Sequence, residues 1–280
     1  MKRSRILPLL LCLLLLTSGC AAGGGKAAAP EGTELEIYCF QAGKADAFLL
    51  TTGSSAVLID TGETKLGSEL LSHLAVAGID RLDCLLITHF DKDHVGGAAA
   101  VLAGIPVDRV LQSNCPKDSD EYAAYTAALA EAGLSPVTVT ETYAFTLDGV
   151  CYTVDPPRKD DYEDSDSNNS SLIVTVENGK NRLLFSGDAE TERLAEFTAY
   201  SGRSCDFLKV PYHGHAQEGL AELIASVKPA VAVITSSEKE PEDEETLELL
   251  EEAGAEVYLT RVAPVRIVSD GETITAEYAE

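Results

Sequence analysis

The sequence predicts an α/β domain that consists of two similar halves, each a mixed β-sheet with helices on its outer side. Short apolar runs that are typical of strands alternate with segments of helical spacing along the chain. No segment after residue 35 has the composition of a linker, so the two halves belong to one domain. A chain of 280 residues with 45% hydrophobic content can bury a substantial core.

The first half begins with three strands, followed by a helix over 66–79 and a buried strand over 82–88. A charged loop over 89–95 separates this strand from a Gly- and Ala-rich helix that begins at Gly96. One more strand and one more helix complete this half. The other predicted segments are strands over 34–40, 47–52, 56–62 and 107–113 and a helix over 120–133.

The second half opens with hairpins, and the "ENGK" stretch that contains Gly179 is a good hairpin turn. Three alternations of strand and helix follow, and a last hairpin, "VRIVSDGETITAEY", ends the chain. The acidic run over 236–256 places leucines at helical spacing. This pattern predicts a solvated amphipathic helix rather than a site for cations or partners.

The first 34 residues predict export to the cell surface. A basic head, a short apolar segment and small residues over 1–19 are typical of a secretory signal, and the Cys that follows indicates a bacterial lipoprotein. Cys20 is then the lipid-bearing first residue, residues 20–34 are a flexible tether, and residues 35–280 are the folded domain. We expect a lipid-anchored protein in the cell membrane that faces outside. Ordinary secretion with cleavage nearby is the alternative.

The charge of the chain limits its partners. The formal net charge is −25, and removal of residues 1–19 leaves 18 basic against 46 acidic residues, which is −28. Binding to long nucleic acid depends on Lys and Arg, so this partner is disfavoured. A small-molecule ester or an ester linked to the cell wall fits the charge better.

The stretch "THFDKDHVGG", residues 88–97, concentrates metal-binding residue types. His89, Asp91, Asp93 and His94 lie within six positions directly after a buried strand. Imidazole and carboxylate are the usual ligands of zinc, manganese or iron in hydrolytic sites. On a loop, this spacing can direct two side chains to each side. The segment therefore predicts ligands for two neighbouring divalent ions, against the alternative of a charged surface loop.

Two later strand ends offer further ligands. One apolar strand ends at Asp188, and another ends at His213 and His215. An Asp in this position is often only the N-cap of a helix, but its coincidence with the other strand ends favours a ligand. Asp60, in "DTG", is interpreted instead as part of a structural turn that supports the metal loop.

These motifs, in their order, resemble those of the metallo-β-lactamase-fold hydrolases, and within them most of all the hydrolase domain of the ComEC competence proteins. The matching segments, from about residue 35 to the end, are "AGKADAFLL", "VLIDTG", "THFDKDHVGG", "NNSSLIVTV", "LFSGDAE" and "LKVPYHGH". Asp91, where most of the superfamily has His, is typical of the ComEC group. The resemblance implies a four-layer αββα sandwich and says less about the substrate.

The resemblance also implies a role for each residue of the site. The first ion would be bound by His89 and Asp91, the second by Asp93 and His94, with Asp188 as bridge and His213 as last ligand, for which His215 is the alternative. Asp93 would also orient a bridging hydroxide. The role of His215 is that of a proton donor facing the substrate or of a residue behind the ligands. The implied cofactors are two divalent ions, zinc in the first place and manganese in the second.

The usual His of the third family motif is missing. Asn168 or Asn169 stands in its place, and an amide oxygen is a weaker ligand than imidazole. The first ion is therefore expected to bind more weakly or to exchange.

The predicted function is that of an exported metal-dependent hydrolase that cleaves a phosphodiester or another phosphate ester through a metal-bound hydroxide. Two alternatives stay open. One is a surface binding protein with a degenerate site of the same fold, and the other is a nuclease linked to DNA uptake, as the ComEC resemblance suggests.

Overall fold

The computed structural model describes residues 33–159, 162, 166–201 and 203–279. The predicted signal over 1–19, the lipidation site Cys20 and the tether up to residue 32 lie outside these described residues. None of the helices within the described ranges has the length and apolar composition that a bilayer crossing requires.

Two packed β-sheets form the centre of the domain. Their strands are β1 (Leu35–Cys39), β2 (Phe48–Thr51), β3 (Ala56–Ile59), β4 (Cys84–Ile87), β5 (Val110–Gln112), β6 (Val137–Thr138), β7 (Tyr143–Leu147), β8 (Val150–Asp155), β9 (Ile173–Asn178), β10 (Asn181–Phe185), β11 (Phe207–Lys209), β12 (Val231–Ile234), β13 (Glu256–Leu259), β14 (Val265–Ser269) and β15 (Ile274–Tyr278). One sheet has the order β15-β14-β1-β2-β3-β4-β5-β6, and the other has the order β13-β12-β11-β10-β9-β8-β7.

Helices cover the outer face of each sheet. They are α1 (Gly67–Val76), α2 (Lys92–Val95), α3 (Ala98–Gly104), α4 (Asp120–Glu131), α5 (Asp166–Asn169), α6 (Thr191–Ser201), α7 (Leu220–Val227) and α8 (Glu244–Glu252). The segment predicted as a loop over 89–95 contains the single turn α2, because the N–H groups of His94 and Val95 both donate to the carbonyl of Asp91 at 2.9 Å.

Strand alternation divides the core into layers. In β4, Cys84 and Leu86 pack between the two sheets, whereas Leu85 and Ile87 pack under the helices of the first sheet. A third apolar cluster lies between the second sheet and helices α6, α7 and α8. Successive side chains of a strand point to opposite faces, so a strand with apolar residues at every position serves two cores. The predicted four-layer αββα sandwich is confirmed.

The last hairpin crosses from one half of the chain to the other sheet. β14 pairs antiparallel with β1, with Ile267 opposite Ile37. The sequence predicts this hairpin as part of the second half because of its position in the chain. Its alternating apolar residues fit either sheet, so the pattern does not show which sheet it joins. The two halves of the chain therefore do not coincide with the two sheets.

The parallel strands determine where a site can form. β3, β4 and β5 run parallel in the first sheet, and β10, β11, β12 and β13 run parallel in the second. The carboxyl ends of parallel strands meet at one edge of a sheet, where the following loops line a crevice.

Candidate metal centre

The predicted site residues lie at the carboxyl ends of these parallel strands. The segment after β4 carries the four candidates of "THFDKDHVGG". Asp188 follows β10, and His213 lies in a single 3-10 turn, Pro211–Gly214, that follows β11. Because β10 and β11 are parallel neighbours, these two segments leave the sheet side by side.

Four side chains, here called the four-donor cluster, converge at one point: Asp93, His94, Asp188 and His213. Their ligand atoms all lie within 4.8 Å of one another. Asp188 Oδ2 is 2.8 Å from His213 Nε2 and 3.2 Å from His94 Nε2. Asp93 Oδ2 is 3.5 Å from His213 Nε2. Two imidazole nitrogens and two carboxylates form a donor set that suits zinc or manganese.

The buried ring nitrogens of this region fit a metal ion. The side chains of His89, His94 and His213 are buried. The ring centroid of His94 is 4.0 Å from that of His89 and 5.5 Å from that of His213. Nε2 of His89 makes no hydrogen bond, and those of His94 and His213 face the Asp188 carboxylate. A buried polar atom without a partner costs about 1–3 kcal/mol, and a cation beside His89 Nε2 would remove that cost.

Contacts behind the rings fix their orientation. His94 Nδ1 is 2.8 Å from Asp60 Oδ2, and His213 Nδ1 is 3.0 Å from the backbone oxygen of Thr235. An acceptor at Nδ1 holds a ring hydrogen there, so Nε2 is the atom that each ring presents to the four-donor cluster. Asp60 also accepts hydrogen bonds from the N–H and the hydroxyl of Thr88. The "DTG" segment therefore supports the metal loop directly.

The turn that carries His213 has an unusual backbone. Tyr212 and His213 have φ of +48° and +54°, and Gly214 has φ of +79°. Non-glycine residues in the left-handed region cost about 1–3 kcal/mol each and are found mostly at functional sites. A Cβ atom at Gly214 would lie 2.8 Å from Ile234 Cγ2. The turn is thus closely packed, and its strained conformation points His213 at the cluster.

A buried lysine joins the cluster from below. Lys209 Nζ is 2.6 Å from Asp46 Oδ2, 3.2 Å from Asp188 Oδ1 and 2.8 Å from the carbonyl oxygen of Gly187. Asp46 Oδ1 in turn accepts a hydrogen bond of 2.6 Å from the hydroxyl of Thr235. The Lys209 ammonium therefore holds one oxygen of Asp188 and leaves Oδ2 to face the histidines.

The pKa directions agree with a buried cluster of opposite charges. Although burial by itself would raise it, the neighbouring His213, His94 and Lys209 hold the pKa of the Asp188 carboxyl well below its usual range. Burial, with His94 beside it, lowers the pKa of His89 to about 4. His89 is therefore neutral at pH 7, which is the form that binds a metal.

Asp91 lies in a different environment, here called the Asp91 arm: His89, Asp91, Lys117 and Ser167. Asp91 Oδ1 is 3.9 Å from His89 Nε2 but only 2.5 Å from Lys117 Nζ. The hydroxyl of Ser167 donates a hydrogen bond to the same oxygen. The structure thus places Asp91 beside a lysine and a serine and outside the four-donor cluster.

Neither asparagine of the third motif faces His89 or Asp91. Asn168 Nδ2 donates to Glu190 Oε1 at 2.5 Å, and Asn169 Oδ1 accepts from the backbone N–H of Arg193 at 3.1 Å. Both amides therefore bind near the start of α6. Ser167 is the residue of this segment that points toward Asp91.

His215 lies outside the four-donor cluster. Its side chain is 29% exposed, its Nδ1 is 3.6 Å from Asp243 Oδ2, and its ring centroid is 5.2 Å from that of Tyr212. Two residues before it, His213 occupies the buried position. His215 and Tyr212 therefore form a more open surface next to the turn.

Three charged residues of this site were not predicted from the sequence: Asp46, Lys117 and Lys209. A signal was present for Lys209, since a lysine within the apolar run "FLKV" must find a buried partner. Asp46 lies in the segment "AGKADAFLL". This segment indicated the resemblance to the ComEC group, but no role was predicted for its Asp. For Lys117, in a loop with other polar residues, the sequence contains no comparable signal.

Comparisons with known proteins agree with this geometry. The family model described as "Metallo-beta-lactamase superfamily" matches residues 41–236. Recombination protein 2 of Haemophilus influenzae is 26% identical over 204 residues, which are 71% of this chain and 24% of that protein. ComE operon protein 3 of Bacillus subtilis is 29% identical over 199 residues, which are 64% of this chain and 25% of that protein. The chain thus spans about a quarter of the length of these relatives.

Among solved structures, the metallo-beta-lactamase fold protein YhfI of Bacillus subtilis superposes with a TM-score of 0.55. The match covers 88% of this chain and 100% of that one at 11% sequence identity. At this identity the likeness concerns the fold. The predicted similarity to competence proteins is confirmed by Competence protein ComA of Neisseria gonorrhoeae, which is 25% identical over 212 residues, 75% of this chain and 28% of that protein.

Proposed function

This chain belongs to the metallo-beta-lactamase superfamily, and from that premise we propose that it is a metal-dependent hydrolase that binds its ion at the four-donor cluster. One observation carries the proposal. Two buried imidazole Nε2 atoms converge with two carboxylates, one of which is itself buried, so that all four ligand atoms lie within 4.8 Å of one another. Each of these rings has an acceptor at Nδ1, which turns its Nε2 toward the carboxylates, as the ligands of a shared metal ion require.

The residues of the cluster would have different roles in such a site. A divalent cation bound there, zinc in the first place and manganese in the second, would lower the pKa of a water molecule and stabilise developing negative charge. Asp188 and the two histidines hold the ion from the buried side. The side chain of Asp93 is 18% exposed and faces the open side, where it would orient the attacking water. His215 and Tyr212, on the open surface next to the turn that carries His213, would donate a proton to the leaving group.

A phosphodiester or another phosphate ester is the proposed substrate class. The Lys117 ammonium beside Asp91 gives the site a positive group for a negatively charged oxygen. The strongly acidic body repels long polyanions, so a small or cell-wall-linked ester is the expected form.

A nuclease linked to DNA uptake is the second candidate, and the relatives favour it. One relative is named a recombination protein and another a competence protein, and the chain covers about a quarter of each. A short single-stranded oligonucleotide, compared with a small phosphodiester, separates the two candidates. Preferential cleavage of the oligonucleotide would favour the nuclease.

We also propose that the mature protein is anchored at the outer side of the cell membrane by a lipid on Cys20. The basic, apolar and small residues of the first 20 positions support this location. Expression in bacteria with labelled fatty acid, followed by membrane fractionation, tests it. The label and the membrane association should both be lost in Cys20→Ala.

Purified protein tests the activity. The chain is treated with chelator, reloaded with zinc or manganese, and incubated with bis(p-nitrophenyl) phosphate, a lactone and a β-lactam. We expect metal-dependent cleavage of the phosphodiester that is lost in Asp93→Ala. A protein that binds metal but cleaves none of the three would instead favour a binding protein of this fold.

A further inference from the structure

The contacts of Asp91 differ from those of a metal ligand. Asp91 Oδ1 is the oxygen that faces His89 Nε2, and the same oxygen accepts from Lys117 at 2.5 Å and from Ser167. A lysine ammonium at this distance already neutralises the carboxylate. A divalent ion bound to Asp91 Oδ1 would lie next to a second positive charge, which repels it.

The loop that carries Lys117 is fixed in this position. The hydroxyl of Ser113, just after β5, donates to the carbonyl oxygen of Ser170 at 2.7 Å. Lys117 Nζ lies 3.4 Å from Ser167 Oγ, in the same segment as Ser170. Two contacts therefore hold the loop after β5 against the segment that contains α5, and the Lys117 ammonium makes one of them.

The other donors that a second ion needs are directed elsewhere. Asp188 Oδ2 faces His94 and His213, and Asp188 Oδ1 is held by Lys209. The side chains of Asn168 and Asn169 are bound to Glu190 and to the backbone of Arg193. This leaves His89 as the one unpaired donor of the Asp91 arm. A single imidazole beside a neutralised carboxylate is a poor site for zinc, which takes at least three protein ligands in catalytic sites.

Resting on the hydrolase function proposed above, we propose that the protein has a single-ion centre in which the Lys117 ammonium takes the place of a second cation. The four-donor cluster binds the ion. The Lys117 side chain is 38% exposed, so its ammonium is accessible to a negatively charged oxygen of the substrate. Asp91 then acts as a positioning residue that holds the ammonium beside the ion.

Counting bound ions tests this proposal without any assay of activity. The purified chain is stripped with chelator, equilibrated with excess zinc or manganese, dialysed and measured by native mass spectrometry and elemental analysis. We expect one ion per wild-type chain, one ion in Asp91→Asn and none in the double variant Asp188→Asn/His213→Ala, which keeps only two of the four donors. Ser167→Ala serves as a second variant of the Asp91 arm, in case Asp91→Asn folds poorly, and should also retain one ion.

The outcomes separate this proposal from the hydrolase function. Two ions per wild-type chain would overturn the single-ion centre, regardless of the ion counts of the variants. This result would not contradict the hydrolase function. One ion without turnover of any ester would contradict the hydrolase function and support the single-ion centre. No ion in the wild type would overturn both.

Discussion

The four-donor cluster and the Asp91 arm lie side by side but differ in burial and in support. The side chains of His94 and His213 are fully buried, whereas those of Asp91 and Lys117 are 26% and 38% exposed. Each histidine of the cluster has an acceptor behind it, and Asp188 has a buried lysine. Charges interact strongly where water is excluded and weakly where it is present. We therefore expect the cluster to determine ion binding and stability, and the arm to tune substrate binding.

The largest effect on activity is expected from Asp188, the buried carboxylate of the four-donor cluster. Asp188→Asn removes the carboxylate that faces both histidines of the cluster, so the rate of ester hydrolysis should fall by about 10³-fold or more. Steady-state kinetics of the metal-loaded variant measures this. Asp108→Asn is the matched control, because Asp108 pairs with Arg81 on the surface, and its rate should match that of the wild type. A loss below tenfold in Asp188→Asn would show that this carboxylate is not a ligand.

Stability distinguishes the two lysines of the site. Lys209→Met leaves Asp46 and Asp188 buried without their counter-charge and should lower the free energy of unfolding by about 3–5 kcal/mol. Lys117→Met removes a partly exposed pair and should cost less than about 1 kcal/mol. Urea unfolding in the presence of chelator measures both. Equal losses would mean that the two regions do not differ in burial as described.

Ion affinity tests the support behind the rings. Asp60→Asn weakens the contact that orients His94 and should lower zinc affinity by about 10–100-fold. Asn is the suitable replacement because Asp60 has φ of +56°, a conformation that Asn tolerates. Ser167→Ala, in the Asp91 arm, should change the affinity by less than about threefold. Competition with a chelating dye gives both values, and a larger loss in Ser167→Ala than in Asp60→Asn would reverse the comparison.

The difference between the regions also explains what the sequence could predict. Apolar runs located the strands and their ends, because such runs report directly on burial, whereas the four-layer sandwich was implied by the family resemblance. Asp188 and His213 follow the parallel neighbours β10 and β11, so their meeting follows from parallel pairing, whereas His94 follows β4 of the other sheet and reaches them because the two sheets are packed together. The sequence did not indicate that β14 would pair with β1, since pairing between distant strands depends on the whole sandwich.

The sequence did not predict the direction in which the side chains of the site point. Lys117 is separated from Asp91 by 26 positions, and both lie in polar segments where a salt bridge leaves no pattern. Asn168 and Asn169 stand at the position of the missing family His, but their amides turn to α6 because a backbone N–H and Glu190 are available there. Position in a motif therefore predicts where a residue lies and leaves its partner undetermined.

The smallest effect is expected from the cationic group of the Asp91 arm. Lys117→Met should lower kcat/KM for a phosphodiester by about tenfold, mainly through a higher KM, because the group contributes to binding of a negatively charged substrate. Lys117→Arg keeps the charge and should recover part of the loss. Lys180→Met is the matched control, since Lys180 is 74% exposed and pairs with Glu272 far along the chain. Cleavage of an uncharged lactone, if it occurs, should be unchanged in all three variants. An equal loss with the lactone would mean that Lys117 acts on the structure of the site and not on the charge of the substrate.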